Sequence, residues 1–421
     1  MSASIRLAFA VLLLAVLGCS PTAIILKEVR KAETDYRHHA GLLLQDLSSG
    51  KNLVEWNSHR YFIPASNTKV LTLYTSLRLL GGDTLPALRY EIRGDSMICW
   101  GTGDPTFLYR HVWQSNKTFQ FLQQSPQRLF ISTSNWYAPH LGPGWSWDDY
   151  NDYYSAERSP FPVFGNISVL SPSAGKWKVI PRELSERLVV EDSVKGRTQF
   201  SRDWSSNVLR ISPGKKGAVQ IPEIPFHQSP EFTIAMLSDT LHRIVEWTPA
   251  TMRAGARWLY STPADSAYRV LMQDSDNFIA EQLLLMGGMV LSDSLHSDPV
   301  IRHMKEHEFM DLPDPLHWVD GSGLSRYNLQ TPANMVAVWK KLNGIIARDR
   351  LYRLLNSYYS AEPFIYGKSG SMSGNYSLSG YLITRKGRVL LFSFMNSNFT
   401  VPVREVRQRV EKILTQVRDR Y

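Results

Sequence analysis

Ser66 and Lys69 stand three residues apart in Pro64-Ala-Ser-Asn-Thr-Lys69. At the start of a helix that spacing puts a hydroxyl and an amine on one face, within reach of each other. A serine hydroxyl is a poor nucleophile until a base takes its proton, and a lysine kept neutral by burial or by a positive neighbour is such a base. Alone, the pair also describes an N-cap serine beside a solvated lysine. Ser-x-x-Lys recurs at Ser173–Lys176 and Ser212–Lys215, where a glycine lies inside the pattern and no helix opens. A second grouping, Ser275-Asp-Asn277, stands just ahead of the apolar run Phe278–Met286, and its ordinary explanation is a capping serine with a turn asparagine. The third is Lys368-Ser-Gly370, followed by Ser-Met-Ser-Gly374. A cation, a hydroxyl and a glycine at a strand edge hold a carboxylate and leave room for a substrate backbone, although a plain turn has the same composition. The three groupings in this order, each in a suitable element, point to an active-serine enzyme.

The elements that carry them are those of a mixed α/β chain. Two short strands, Ala40–Asp46 and Asn52–Trp56, flank Ser48-Ser-Gly50 as a hairpin. Pro64-Ala-Ser66 opens a helix with apolar positions at Val70, Leu71, Leu73, Tyr74, Leu77 and Leu80, and Gly81-Gly82 stops it. From about 85 to 249 the texture changes to short strands and turns rich in Trp, Pro, Gly and Ser. Helices return over about 249–290 and 332–356, and a hairpin over Ser377–Thr384 and Arg388–Phe394 precedes a terminal helix. Strands at both ends with helices between predict an α+β fold. Its sheet is completed by both ends of one discontinuous domain, 25–84 and 250–421, around a β-rich insert at 85–249. No internal repeat is evident.

The chain has 421 residues, 43% of them hydrophobic and 20% charged, which fits a folded protein of two to three domains and excludes a disordered one. Two cysteines, Cys19 and Cys99, make neither a disulfide framework nor a four-cysteine zinc site. The formal charge of +9 is scattered, and its densest stretch, Arg404–Arg418, sets Val406, Val410, Ile413, Leu414 and Val417 at helical spacing with the charges opposite. That is a solvated helix rather than a nucleic-acid surface, and no nucleic-acid partner is expected. Near the N-terminus Arg6 precedes about twelve apolar residues, Leu7–Gly18, too few to span a bilayer and typical of a secretory signal. Its end, Val16-Leu-Gly-Cys19, resembles a bacterial lipoprotein signal, so residues 1–19 read as a signal peptide with Cys19 as the site of lipid attachment. An ordinary signal cleaved nearby is the alternative. Either way the protein is expected to be exported, with a membrane association only through that anchor.

Ser-x-x-Lys, Ser-x-Asn and Lys-[Ser/Thr]-Gly form the signature of penicillin-binding proteins and β-lactamases. Trp100-Gly-Thr-Gly-Asp-Pro-Thr-Phe107, Asp320-Gly-Ser-Gly-Leu-Ser-Arg-Tyr-Asn328 and the roughly two hundred residues between the first two motifs narrow the likeness. The chain resembles the class C low-molecular-mass penicillin-binding proteins, the D-alanyl-D-alanine carboxypeptidase/endopeptidase family. The resemblance implies a transpeptidase-like domain with an antiparallel sheet flanked by helices, and no cofactor or metal. It implies Ser66 as nucleophile, Lys69 as its base, Ser275 as proton relay, Asn277 as a substrate and lysine ligand, and Lys368 with Ser369 as carboxylate ligands. Gly370 gives backbone access, and the N–H groups of Ser66 and Ser371 form the oxyanion hole. It further implies that Asp149, Tyr154, Arg326 and Met372 line a pocket for the third residue of peptidoglycan stem peptides, with β-lactams as acylating inhibitors.

Two rival functions share some of these features. A β-lactamase needs a base for fast deacylation, and no Glu-x-x-Leu-Asn sequence follows Asn277. A non-catalytic peptidoglycan-binding relative would not need all three motifs intact. Of a different class is His303-Met-Lys-Glu-His307, which has the spacing of an inverted zinc-peptidase motif. Its surroundings are polar and charged, and the sequence offers no third ligand.

Overall fold

The structure is a computed structural model and describes residues 20–112, 115–173, 176–217, 221–359 and 362–421. The signal sequence expected over 1–19, and Cys19 with it, lie outside the described residues. The chain forms two compact units. One comprises the residues up to Tyr74 with 307–318 and 326–421, the other 75–306 with 319–325.

The first unit is built on a six-stranded sheet in the order 356–358, 365–372, 375–383, 389–397, 39–46, 52–56. Every neighbouring pair is antiparallel. Strand alternation explains how both faces are covered. Leu378, Leu382, Leu42, Leu44, Phe392 and Phe394 turn to one side, against the helices Pro21–Tyr36 and Val403–Arg420. The apolar stripe expected from Val406 to Val417 is the buried face of the second helix, and its arginines and lysine lie outside or at the rim. Ser377, Ser379 and Tyr381 belong to the opposite side. There Trp339, on the helix Pro332–Ile345, donates its indole N–H to Ser379 Oγ at 2.8 Å and meets Tyr381 edge-on.

The second unit has a five-stranded mixed sheet in the order 245–247, 128–132, 96–101, 84–93, 257–263, and two small three-stranded sheets. The cluster around Leu88, Cys99, Leu129 and Ile131 joins these sheets to the helix Pro230–Leu241. The helix Asn277–Ser292 is buried from Phe278 to Met289, as its unbroken apolar sequence requires.

Several expected elements differ. Arg257–Pro263, inside the stretch read as helical over 249–290, is a strand paired with Thr84–Arg93. Its Trp, Tyr and Thr suit a strand, and it pairs along Thr84–Arg93 before the helical stretch begins at Ala264. The segment read as one helix over 332–356 breaks at Ile346, whose extended backbone separates Pro332–Ile345 from Arg348–Leu354. Helices Pro21–Tyr36 and Pro230–Leu241 were not expected, although both open with a serine cap followed by proline.

Candidate active site

Ser66 lies in a 3-10 turn, Ala65–Thr68, that runs straight into the helix Lys69–Leu79. Side chains three apart eclipse in such a turn. Lys69 Nζ accordingly lies 3.0 Å from Ser66 Oγ. Lys69 is 0% exposed, which removes the alternative of a solvated lysine. Just before the serine, Ala65 has φ +48°, a left-handed conformation that costs a non-glycine residue about 1 kcal/mol and is held here by its surroundings.

Lys368, Ser369 and Gly370 sit in the strand Ile365–Met372 rather than in a turn. Lys368 is 1% exposed and donates to its neighbour's carbonyl, Ser369 O, at 3.0 Å. Burial, and then the charge of Lys69, push its ammonium well below the usual lysine range. At Gly370 a Cβ would stand 2.5 Å from Pro64 O and 2.7 Å from Ser66 N, so only glycine lets this strand close on the Ser66 turn. Asn67 fixes that approach. It is fully buried, donates to Lys368 O at 3.1 Å and Ser377 Oγ at 2.8 Å, and accepts from Ser379 Oγ. Ser369 has its own partner, Tyr358, whose hydroxyl accepts the Ser369 N–H at 3.0 Å. The side chain of Ser371 accepts from exposed Arg407 at 3.3 Å. Neither Asn67 nor Tyr358 was found from sequence. Asn67 lies inside the first motif but carries no signal of its own, and Tyr358 is eleven residues from Ser369 on another strand.

In the second unit, Ser275 closes a π-turn, Val270–Asp274, with φ +61°. The cap of the next helix is Asp276, which accepts from Ile279 N at 2.8 Å, so Ser275 is not the capping serine. Tyr109 OH donates to the other Asp276 oxygen at 2.5 Å. Asn277 Nδ2 donates to Tyr154 O at 2.9 Å. The Tyr154 hydroxyl lies 3.0 Å from both Asp149 Oδ1 and Asp152 Oδ2. Thus Asn277, from the second motif, and the pocket residues Tyr154 and Asp149 form one connected group. Desolvation, and to a smaller extent Asp148 and Asp152, raise the Asp149 carboxyl above its usual range. Arg326, in the first unit, is exposed and reaches Ser373 O at 3.4 Å, next to Met372 in the chain.

The Asp320–Asn328 segment owes its shape to Asp320, which accepts from Gly323 N at 2.8 Å, Ser325 N at 2.7 Å and Trp145 Nε1 at 3.1 Å. Beside it Glu281 accepts from Ser322 N at 2.7 Å and pairs with Arg158 at 3.3 Å. His303 and His307 lie on the helix Ser297–His307. No group of three or more His, Cys, Asp or Glu able to hold a metal is found among the described residues.

With this geometry in view, comparison with known proteins is informative. The model of the D-Ala-D-Ala carboxypeptidase 3 (S13) family matches residues 26–181 and 258–417. A penicillin-sensitive carboxypeptidase A of Dictyostelium discoideum is 22% identical, over 79% of this chain and 76% of its own. Among solved structures, penicillin binding protein 4 of Haemophilus influenzae aligns with a TM-score of 0.70 at 16% identity, covering 92% of this chain and 98% of that one. A predatory peptidoglycan endopeptidase of Bdellovibrio bacteriovorus aligns at 0.51 and 14%, covering 90% and 92%. The likeness to these structures establishes a penicillin-binding-protein fold of the α+β class. On the extent of the family match, the chain belongs to the D-Ala-D-Ala carboxypeptidase 3 (S13) family and is a serine-type DD-peptidase.

Proposed function

We propose that Ser66 is the nucleophile of this DD-peptidase and attacks the carbonyl between two D-alanines of a peptidoglycan stem peptide, at free termini or at cross-links. The observation that carries the reading is the buried Lys69 amine 3.0 Å from Ser66 Oγ. Lys69 takes the serine proton as the Oγ–C bond forms. Burial of both lysines, with the Lys368 ammonium pushed well below its usual range, supports the assignment of Lys69 as the base. The oxyanion is taken by the N–H groups of Ser66 and Ser371. In support, the Ser369 N–H points to the outer edge of its strand, toward Tyr358, and Ser371, two residues on, repeats that direction. Such donors are worth about 3–4 kcal/mol in the barrier. Collapse breaks the C–N bond as Ser275 passes a proton to the leaving D-alanine amine. Water then hydrolyses the ester, and the serine regains its proton.

Lys368 and Ser369 bind the terminal carboxylate, and Asn277 the substrate amide and the base. Gly370 keeps the edge accessible. Asp149 and Tyr154 read an amine, and Arg326 with Met372 a carboxylate and its stem, on the third residue of the peptide. β-Lactams acylate the same serine, and the fold relative from Haemophilus has been seen complexed with one. The proposal includes export to the periplasm, with residues 1–19 as signal and Cys19 as the lipidated residue. No helix among the described residues is long and apolar enough to cross a membrane. It also includes the peptidase domain as 25–84 and 250–421 with 85–249 inserted, and the family match is interrupted from 182 to 257, mostly inside that insert.

The test is incubation of the mature protein and its Ser66→Ala variant with fluorescent penicillin, followed by mapping of the adduct. An adduct on Ser66 that the variant lacks supports the mechanism, and its absence from folded protein overturns it. Cross-linked and uncross-linked muropeptides then separate the two hydrolytic activities.

A further inference from the structure

We infer that Tyr358 is a positioning residue for the substrate carboxylate, holding the Ser369 hydroxyl so that its proton is directed to the carboxylate. The inference rests on Ser369 being a carboxylate ligand, as proposed above. Tyr358 ends the short strand Asn356–Tyr358 and pairs with Ile365, and the antiparallel ladder runs from there to Asn356 opposite Gly367. Its side chain reaches back along the edge to Ser369, beyond that end of the ladder. The phenol oxygen accepts the Ser369 N–H at 3.0 Å, and the phenol O–H donates to Ser369 Oγ at 3.2 Å.

The direction of the second bond matters. A hydroxyl has one proton to give, and an ionised carboxylate only accepts. If Ser369 gave its proton to Tyr358 it would meet the carboxylate with a lone pair. Because the phenol oxygen already accepts the backbone N–H, and its own proton goes to Ser369 Oγ, the serine proton is left for the substrate. Burial raises the ionisation of Tyr358 above that of an ordinary tyrosine, so the phenol keeps its proton at neutral pH. Residue type strengthens the case. A threonine would have χ1 restricted by its branched Cβ, whereas serine has no such restraint. Tyr358 supplies from outside what the missing methyl group would supply from within.

The measurement is a double-mutant cycle on the full mature chain, using penicillin acylation and hydrolysis of a peptide ending in D-Ala-D-Ala, with thermal unfolding of each variant. Tyr358→Phe keeps the ring and its tilted contact with Tyr359. It is expected to lower acylation efficiency by about tenfold, the value of one neutral hydrogen bond, with the loss in KM rather than kcat. Adding Ser369→Thr should recover most of that loss, because the methyl group restores the rotamer. On a Ser369→Ala background Tyr358→Phe should have no further effect. Activity of Tyr358→Phe within twofold of wild type overturns the inference. So does a loss that Ser369→Thr fails to recover, or one that persists without the Ser369 hydroxyl. Absence of a Ser66 adduct in the wild type overturns the catalytic reading as well, whereas a normal adduct with no Tyr358–Ser369 coupling overturns this inference alone.

Discussion

The strand Lys368–Gly370 with the Ser66 turn, and the turns that hold Asp149 and Tyr154, are built in opposite ways. In the first region Lys69 and Lys368 are 0% and 1% exposed, and the strand that carries Lys368 is paired along its whole length with Asn375–Ile383. In the second, Asp149 and Tyr154 sit on two short 3-10 turns whose neighbours Trp147 and Tyr153 are 74% and 63% exposed. A group that must hand over a proton in a fixed direction needs a frame that cannot shift by half an ångström. A group that reads a charged substrate side chain needs water access before binding, and tolerates a looser frame. The difference predicts that damage to the first region shows in the rate of acylation, and damage to the second in the choice of substrate.

The largest effect is expected at Gly370. Gly370→Val would place a side chain where Pro64 O and Ser66 N now stand, forcing strand and turn apart. Penicillin acylation should fall by at least about a thousandfold with secondary structure retained, on the scale of lost orientation and an oxyanion donor. A variant that acylates at wild-type speed would show that the close approach is dispensable. Next, Asn67→Ala leaves buried partners on Lys368 O and Ser379 Oγ without their bonds. We expect a loss of about 3 kcal/mol in urea unfolding. A cost below about 1 kcal/mol would mean that the frame does not depend on it.

Lys368→Met sharpens the comparison through pH. A lysine with a depressed folded value binds fewer protons when folded than when unfolded. Its burial therefore costs stability at neutral pH, and that cost disappears as pH rises toward the ordinary 10.5. The variant should unfold about 1–3 kcal/mol less readily than wild type near pH 7, converging with it in alkaline buffer, and should lose acylation throughout. A margin that widens with pH would reverse the assignment of the buried charge. The smallest effect is expected from Asp149→Asn. Hydrolysis of stem peptides with a side-chain amine should slow by about fivefold, the value of one partly exposed ion pair, and clearly more than penicillin acylation does. Equal slowing of both would remove the distinction between the two regions.

Sequence reasoning reaches the first region well and the second poorly, for the same physical cause. The hairpin His39–Trp56, the helix after Ser66 and the strand Asn375–Ile383 after the third motif announce themselves through their apolar pattern and turn signals, because each is a long element of the buried frame. Asn67, Tyr358 and Asp276 act through two or three hydrogen bonds each, to residues remote in sequence or to a turn, and no spacing rule reports such partners. Asp149 and Tyr154 were reached through family likeness, yet their link to Asn277 through the Tyr154 carbonyl was not foreseeable. The strand Arg257–Pro263 is hidden by the helical sequence that follows it from Ala264, although its own Trp, Tyr and Thr favour a strand.

The pairing of His39–Asp46 with Val389–Ser397 has a consequence for how the protein comes into being. His39 faces Ser397 in that ladder, so an inner strand of the sheet, paired early with Asn52–Trp56 on one side, gains its second neighbour only when nearly the whole chain is present. Closing so long a loop is slow and leaves apolar strands exposed in the meantime. A nascent chain shortened before residue 389 lacks the strand that should lie between Asn375–Ile383 and His39–Asp46, and would present both as open edges. The sheet of the unit that carries Ser66 is therefore completed only by residues near the end of the chain. That order suits the export proposed above, in which a chain is threaded across a membrane before its sheet can close.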